Sequence, residues 1–325
     1  MIMPGGWSEE MPQIKHVRVG KMEAQEAIES LRKNMNLLRE YPVTRDDTWI
    51  YIPVKEEFQS PDSVMLHRDE PRKIIPTGHA GGFDLIGEIA IIHLRNTGRI
   101  RDIMEFILRV KPGIRTIYSD GGIRGELRLR DLELLYGPDD PTTIYRENGL
   151  RFNVNVKTAY FSPRLSTERY LLSRRIKNGE RIFDMFAGIG SFSLNLAHES
   201  EIQVFACDIN PAAYELMKSN ISMNKLKGSI DPFNGDSYEK IKELGTFSRI
   251  VMNNPMIKYR DLEKILEYLD RDGILNIYYI ETVEGIGSVM HDMESLGLII
   301  QDKRIVHGYS KNMFMFSLEY RKVRK

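Results

Sequence analysis

Arg181-Ile182-Phe183-Asp184-Met185-Phe186-Ala187-Gly188-Ile189-Gly190-Ser191-Phe192-Ser193 passes from an apolar strand, through two glycines one residue apart, into a helix expected at 191–198. Glycines at the carboxyl end of a first strand let a ligand come close to the backbone. Taken alone, a Gly-x-Gly turn serves a nicotinamide, a flavin or tight packing equally well. The next strand, at 203–207, narrows the choice. It runs into Asp208-Ile209-Asn210-Pro211, setting a carboxylate about twenty residues beyond the glycines, where such an acid reaches a ribose diol. The other use of Asp208 is as N-cap of the helix that Pro211 opens. Asp236, in Asn234-Gly235-Asp236-Ser237, follows the next strand and is placed to meet an adenine amino group.

Outward from this core, strands near 230 and at 249–252 and 273–280 alternate with helices at 211–224, 259–269 and 283–296. Alternation of this kind predicts an α/β fold with a doubly wound, Rossmann-like sheet. The ending, 298–306 and 312–320 around Gly308, reads as a C-terminal antiparallel hairpin at the sheet edge. Upstream, 74–162 reads as an α+β domain. It has one strand at 83–92 and a helix at 97–110 with Ile103, Phe106, Ile107 and Val110 on one face. Strands follow at 116–118, 126–128, 132–136, 143–147 and 150–156, with Asn148-Gly149 as a hairpin turn. Residues 1–73 read as a small appendage: a helix at 19–39, a strand at 48–54 and a polar stretch at 55–73. Three segments are therefore expected, 1–73, 74–162 and 163–325.

Composition sets bounds on class. The chain has 325 residues, 42% hydrophobic and 28% charged, with formal net charge +0, which excludes a disordered or fibrous chain. Charge is uneven, however. Residues 95–130 carry nine basic side chains against four acidic ones, and 302–325 carry seven against two. Arginine's planar fork suits phosphate, although a solvated face would show the same excess. The one cysteine, Cys207, rules out a disulfide framework or a multi-thiolate zinc site, so no metal is expected and a reducing cytoplasm fits. No apolar run approaches the roughly 18 residues a membrane span needs, and the first residues carry no secretory pattern.

An Asp-x-Phe-x-Gly-x-Gly turn, an acidic second-strand end, a further Asp and then Asn253-Asn254-Pro255 after the fourth strand resemble class I S-adenosylmethionine-dependent methyltransferases. Tyr160-Phe161-Ser162-Pro163-Arg164-Leu165-Ser166-Thr167-Glu168-Arg169 narrows the resemblance to the archaeal and eukaryotic tRNA guanine-37 N1-methyltransferase family. Gly125-Glu126-Leu127-Arg128, Tyr145-Arg146-Glu147-Asn148-Gly149 and Phe83-Asp84-Leu85-Ile86-Gly87 extend it over about 74–320. The resemblance implies S-adenosyl-L-methionine as cofactor, held by Asp184, Phe186, Ala187, Gly188, Gly190, Asp208, Ile209, Asp236, Asn253 and Pro255. It implies tRNA as partner, bound at the anticodon loop, with 1–73 as counterpart of the family's elbow-binding domain. A cytoplasmic monomer is expected.

Methylating guanine at N1 removes a proton and builds negative charge toward O6, so it needs a base and a positive donor. The resemblance places the base at Glu168, the donor at Arg128 and a positioning role at Tyr160. Asn253 offers an amide that both donates and accepts at a guanine edge. Asn254 departs from the family pattern, in which an apolar residue usually separates Asn from Pro. Glu168 also lies among Arg164, Arg169, Arg174 and Arg175, so a helix-surface ion pair is its other reading. The nearest rival activity is the aminocarboxypropyl transfer of wybutosine synthesis. The Arg-Leu-Ser-Thr-Glu series and Asn253-Asn254-Pro255 favour methyl transfer over it. A noncatalytic RNA-binding protein and a small-molecule methyltransferase are further alternatives, the latter leaving the arginine-rich segment without a task.

Overall fold

The computed structural model describes residues 13–21, 23–34, 36–38, 43–45, 48–59, 64–69, 82–93, 100–125, 127–255, 259–310 and 312–323. The start of the helix expected at 97–110 lies outside these. Met1–Ala80 and Gly81–Lys325 form two units. In the first, strands β1 (Gln13–Gly20), β2 (Thr44–Arg45), β3 (Trp49–Pro53) and β4 (Val64–Asp69) make an antiparallel sheet in the order β2-β3-β1-β4, with helix α1 (Ala24–Lys33) between β1 and β2. Val17, Val19, Ala24, Leu31, Ile52 and Val54 form its core. The helix expected at 19–39 therefore starts later. Val17 and Val19 are buried at strand spacing, and β4 occupies a stretch expected to be only polar.

The second unit opens with β5 (Phe83–Ile86), β6 (Ile89–His93), helix α2 (Ile100–Val110), β7 (Thr116–Arg124) and β8 (Leu129–Tyr136), four strands in sequential order with a parallel β6–β7 step across α2. The single strand expected at 83–92 is a hairpin. Gly87 turns it at φ +55°, where an added Cβ would lie 2.6 Å from the Ile144 carbonyl oxygen. Of the strand expected at 126–128, Leu127 and Arg128 lie in a turn instead. Strands β9 (Thr142–Glu147) and β10 (Leu150–Asn155) pair through Asn148-Gly149, both at positive φ as a two-residue type I′ turn requires.

A 3-10 turn (Pro163–Leu165) and α3 (Ser166–Ser173) lead into β11 (Arg181–Asp184), α4 (Ser191–Glu199), β12 (Gln203–Asp208), α5 (Pro211–Met223), β13 (Ser229–Asn234), α6 (Ser237–Leu244), β14 (Phe247–Met252), α7 (Tyr259–Leu266), β15 (Leu269–Glu281), α8 (Ile286–Ser295), β16 (Leu298–Gly308) and β17 (Phe314–Lys322). The seven strands run β13-β12-β11-β14-β15-β17-β16, parallel through β15, with β16 and β17 as the antiparallel pair at the edge. This is the expected doubly wound sheet. Both faces are covered, as a parallel sheet demands. One apolar cluster joins Ile86, Ile91, Tyr118 and Phe152 to Ile182, Val204 and Met315, so core residues on both sides of position 162 pack together. The other face buries Phe183, Phe205, Phe247, Ile277 and Leu318. Among the described residues no helix is long and apolar enough to cross a membrane.

Candidate active site

Strand order reverses at β11, which has β12 on one side and β14 on the other. Ligands of open α/β sheets sit outside the carboxyl ends of strands at such a point. Here the loops after β11, β12 and β14 border a cleft that opens to solvent. On this wall lie Phe186, Ala187, Gly188, Asp208, Ile209, Asn253, Asn254 and Pro255. Gly188 sits at φ +56°, and an added Cβ would meet nothing nearer than the Tyr160 carbonyl oxygen at 3.7 Å, so the space above it is open.

Asp208 is held from two sides. The Gly188 N–H donates to its Oδ2 at 2.7 Å and the Asn210 N–H to its Oδ1 at 2.9 Å. Burial nonetheless pushes its carboxyl up from the usual range, the mark of a carboxylate short of donors. Helix α5 does not use it as a cap. Asn210 does that, its Oδ1 accepting from the Ala212 N–H at 3.0 Å. Asp208 is thus left to face the cleft.

Two residues expected to hold cofactor work from behind the wall. Asp184 is fully buried, accepts the Ser193 hydroxyl at 2.7 Å, and is pushed up to about 6 by burial with Asp208 as a further contributor. It ties β11 to α4. Gly190 sits at φ +82°, where an added Cβ would lie 2.7 Å from Leu194 Cδ1 and 3.0 Å from Met217 Cγ. Its missing side chain serves close packing. Asp236 stands outside the cleft: it is the N-cap of α6, accepting the Tyr238 N–H at 2.8 Å. No helix is expected from the sequence between the strands near 230 and at 249–252, and α6 gives this aspartate its capping use.

The opposite wall comes from the first part of the unit and from the β16–β17 hairpin: Leu127, Arg128, Tyr160, Arg169, His307 and Tyr309. The guanidinium carbons of Arg128 and Arg130 stand 5.5 and 5.6 Å from the Tyr160 ring centroid. Arg130 is committed to the protein. It donates to Asp120 at 2.7 Å, to Asp84 at 3.1 Å and to the Phe161 carbonyl at 3.3 Å. Among the described residues Arg128 has no carboxylate partner. Its backbone sits at φ +54°, a left-handed conformation that costs roughly 1–2 kcal/mol for a residue with a side chain.

Glu168, expected as the base, does not line this cleft. It is 3% exposed and faces the sheet on the far side of α3. Its Oε1 accepts from Tyr278 at 3.0 Å and Ser317 at 2.9 Å, and Arg304 donates to both oxygens at 2.9 and 3.1 Å. Nor is it a surface ion pair, because its cation comes from β16 and not from its own helix. The neighbouring Arg169 takes the cleft side. It forms a buried fork with Glu147 at 2.5 and 2.6 Å and donates to the Ser162 carbonyl. The sequence pointed to this segment, but only packing of α3 decides which of two adjacent charged residues turns inward. His307 and Tyr309 had no signal beyond their place in the expected hairpin.

The basic segments are partly neutralised. Arg115 pairs with Asp140, Arg124 with Asp131 and Arg130 with two aspartates. Lys322 is an anchor within β17, donating to the Leu266 and Leu269 carbonyls.

Comparison with known proteins gives two family matches. Residues 143–315 match the TRM5/TYW2 methyltransferase domain, and residues 73–140 match the TYW2 N-terminal domain. The tRNA (guanine(37)-N(1))-methyltransferase Trm5b of Pyrococcus abyssi is 32% identical over 86% of this chain and 91% of its own length. The tRNA(Phe) (4-demethylwyosine(37)-C(7)) aminocarboxypropyltransferase of Pyrococcus horikoshii is 32% identical over 61% of this chain and 70% of its own. Among solved structures, the crystal structure of Trm5b from Pyrococcus abyssi superposes with a TM-score of 0.69 at 28% identity, covering 96% of this chain and 100% of that one. With its overall fold and more than half of its length matching in this way, the chain belongs to the TRM5/TYW2 methyltransferase family.

Proposed function

We propose that this protein is a tRNA methyltransferase that places a methyl group on N1 of guanine 37 in the anticodon loop, with S-adenosyl-L-methionine as methyl donor. One observation carries the reading: a wall suited to a nucleoside cofactor faces, across a single cleft, an arginine that has no carboxylate partner among the described residues. The residues suit that cofactor. Asp208 is an under-solvated carboxylate that ribose hydroxyls would supply with donors, Ile209 presents 58% of its surface as an apolar face, and the space over Gly188 is open. When bound, the cofactor supplies the electrophilic methyl carbon. Phe186, Ala187, Asn253 and Pro255 complete this wall, with Asp184 and Gly190 shaping it from behind. Arg128 donates to guanine O6 as negative charge builds there, Tyr160 holds Arg128 by its ring, and Asn253 meets the base edge. Asp236 caps α6, and Glu168 is bonded to Tyr278, Ser317 and Arg304 behind the cleft lining.

The segment 1–73 is read as a second tRNA contact and 74–162 as the platform for the anticodon loop. Action as a monomer belongs to this reading, and a buried Cys207 thiol outside any disulfide fits the cytoplasm. Aminocarboxypropyl transfer is the second reading, favoured by the match of 73–140 to a TYW2 N-terminal domain. The relative of that activity spans less of the chain than the methyltransferase does. Incubation of tRNA transcripts carrying G37 or A37 with cofactor labelled in the methyl group or in the aminocarboxypropyl group decides between them. Methyl label in 1-methylguanosine, from G37 transcripts only, is expected. Label transferred from the aminocarboxypropyl group, or methylation that does not need RNA, would refute the proposal.

A further inference from the structure

Arg128, the donor to guanine O6 on the proposed reading, has no carboxylate partner among the described residues. Its guanidinium is set against the Tyr160 ring, 5.5 Å from the centroid. A donor aimed at developing charge is effective only if it is in place beforehand. The fixing of Arg128 therefore depends on the fixing of Tyr160.

A second guanidinium stands against the same ring. Arg130, on β8, lies 5.6 Å from the centroid, and its side chain is 6% exposed. Its nitrogens are spent on the protein. Nη1 donates to Asp120 Oδ2 at 2.7 Å, and Nη2 donates to Asp84 Oδ2 at 3.1 Å and to the Phe161 carbonyl at 3.3 Å. Phe161 follows Tyr160 in the chain, so Arg130 holds this segment by both ring and backbone.

The two carboxylates are themselves held. Strand β7 bulges at Gly121-Gly122, because Asp120 pairs with Leu132 and Ile123 with Arg130, which leaves two residues opposite Asp131 alone. Gly122 takes φ +119° there, and its N–H donates to Asp120 Oδ1 at 2.8 Å while Oδ2 faces Arg130. Re-aiming a side chain beside an active site is a common use of a bulge. Asp84, on β5, accepts from Arg164 Nε at 2.7 Å through Oδ1 and from Arg130 through Oδ2. His93, at the end of β6, stands between the two acids, with Nε2 3.0 Å from Asp84 and Nδ1 3.3 Å from Asp120. Each of the four strands thus gives one side chain to the row. Burial pulls both carboxyls upward, but His93 and the arginines, with the Gly122 N–H at Asp120, hold them below the usual range, so both stay charged. Buried charges of this kind are weak sources of stability.

On the proposed methyl-transfer reading, with Arg128 as the O6 donor, we infer that Arg130 is a positioning residue: held by Asp84 and Asp120, it fixes the Tyr160 ring against which Arg128 is set. Two cations on one ring would otherwise repel each other. The aspartates neutralise Arg130, and the charge left facing the cleft is that of Arg128.

The test is single-turnover methylation of G37 tRNA at saturating tRNA and cofactor, in Arg130→Lys and Asp120→Asn, each alone and combined with Arg128→Ala. Lysine keeps the charge that the aspartates pair with and loses the planar fork. Arg130→Lys should be slower by roughly 10–10²-fold, the effect of a reacting group misplaced by about an ångström. Cofactor and tRNA affinities should not change. In the Arg128→Ala background the same substitution should cost nothing further, because the group it positions is gone. A merely structural role would lower both backgrounds alike. Asp120→Asn keeps an acceptor for Arg130 and should show the same pattern with a smaller loss; it carries the test if Arg130→Lys does not fold. A wild-type rate in Arg130→Lys, or an equal fold-loss with and without Arg128, overturns the assignment. Failure of the underlying reading appears elsewhere, as a wild type that forms no 1-methylguanosine or an Arg128→Ala variant at full rate, and either takes this inference with it.

Discussion

Glu168→Gln separates an anchoring carboxylate from a reacting one. In the structure the carboxylate accepts from Tyr278, Ser317 and both terminal nitrogens of Arg304, linking α3 to β15, β16 and β17. Removing one partner of a buried ion pair costs about 3–5 kcal/mol. Two features reduce that for glutamine. Arg304 keeps Asp302, bonded at 2.7 Å, and the amide oxygen still accepts from Tyr278 or Ser317. A loss of about 2–3 kcal/mol is therefore expected, against about 3–5 kcal/mol for Glu168→Ala, which leaves buried hydroxyls without a partner. In a unit of this size about 1 kcal/mol moves the melting midpoint by 2–4 °C, so Glu168→Gln should melt roughly 4–12 °C lower. Its single-turnover rate, measured well below that midpoint, should stay near wild type. Combining it with Arg304→Gln should cost less than the sum of the two, because both remove the same contact. An unchanged midpoint with a rate reduced by 10²-fold or more, the signature of a lost base, would refute this reasoning and return Glu168 to the reacting atoms.

Asp208→Ala should weaken S-adenosylmethionine binding by about 1.5–3 kcal/mol, the worth of a charge-assisted hydrogen bond; unchanged affinity in titration calorimetry would contradict its place at the ribose. Arg128→Ala should slow single-turnover transfer by about 10²–10³-fold and Arg128→Lys by less, as for a lost oxyanion donor. Because Arg128 is held at φ +54°, Arg128→Gly should lose the same activity while gaining up to about 1 kcal/mol in urea unfolding, from relief of left-handed strain. Asp184 holds its proton more tightly when folded, at about 6 against its usual 3.8. Its contribution to stability is thus whole below 3.8 and lost above about 6. Relative to Asp184→Asn, the wild type should lose stability by about 1.4 kcal/mol per pH unit across that window and then level off, read by urea titration at each pH. Affinity for tRNA should fall steeply with salt as phosphates are neutralised, and removal of the two residues after Val323 should lower the slope only slightly. A salt-independent affinity in filter binding would place the arginines away from RNA.

Local pattern determined much of this protein. Strand alternation with helices, two glycines at a strand end and Asp208 at the next strand end specify a doubly wound sheet and its cofactor edge, because ligand approach at the switch point depends on backbone and loop residues adjacent in sequence. Asn148-Gly149 likewise announced a hairpin, since a type I′ turn needs positive φ at both residues. What tertiary structure alone decided is where each charge points. Glu168 and Arg169 are neighbours in sequence, yet successive helix residues are turned by roughly 100°, so one reaches Arg304 across the edge hairpin and the other the cleft. Asp208 ends β12 and Asp236 follows β13 by two residues, but α6 claims the second as its cap while Asn210 frees the first. His307 enters the cleft through one unpaired residue at Val306. Such outcomes rest on contacts between residues far apart along the chain, and no periodicity along the chain records them.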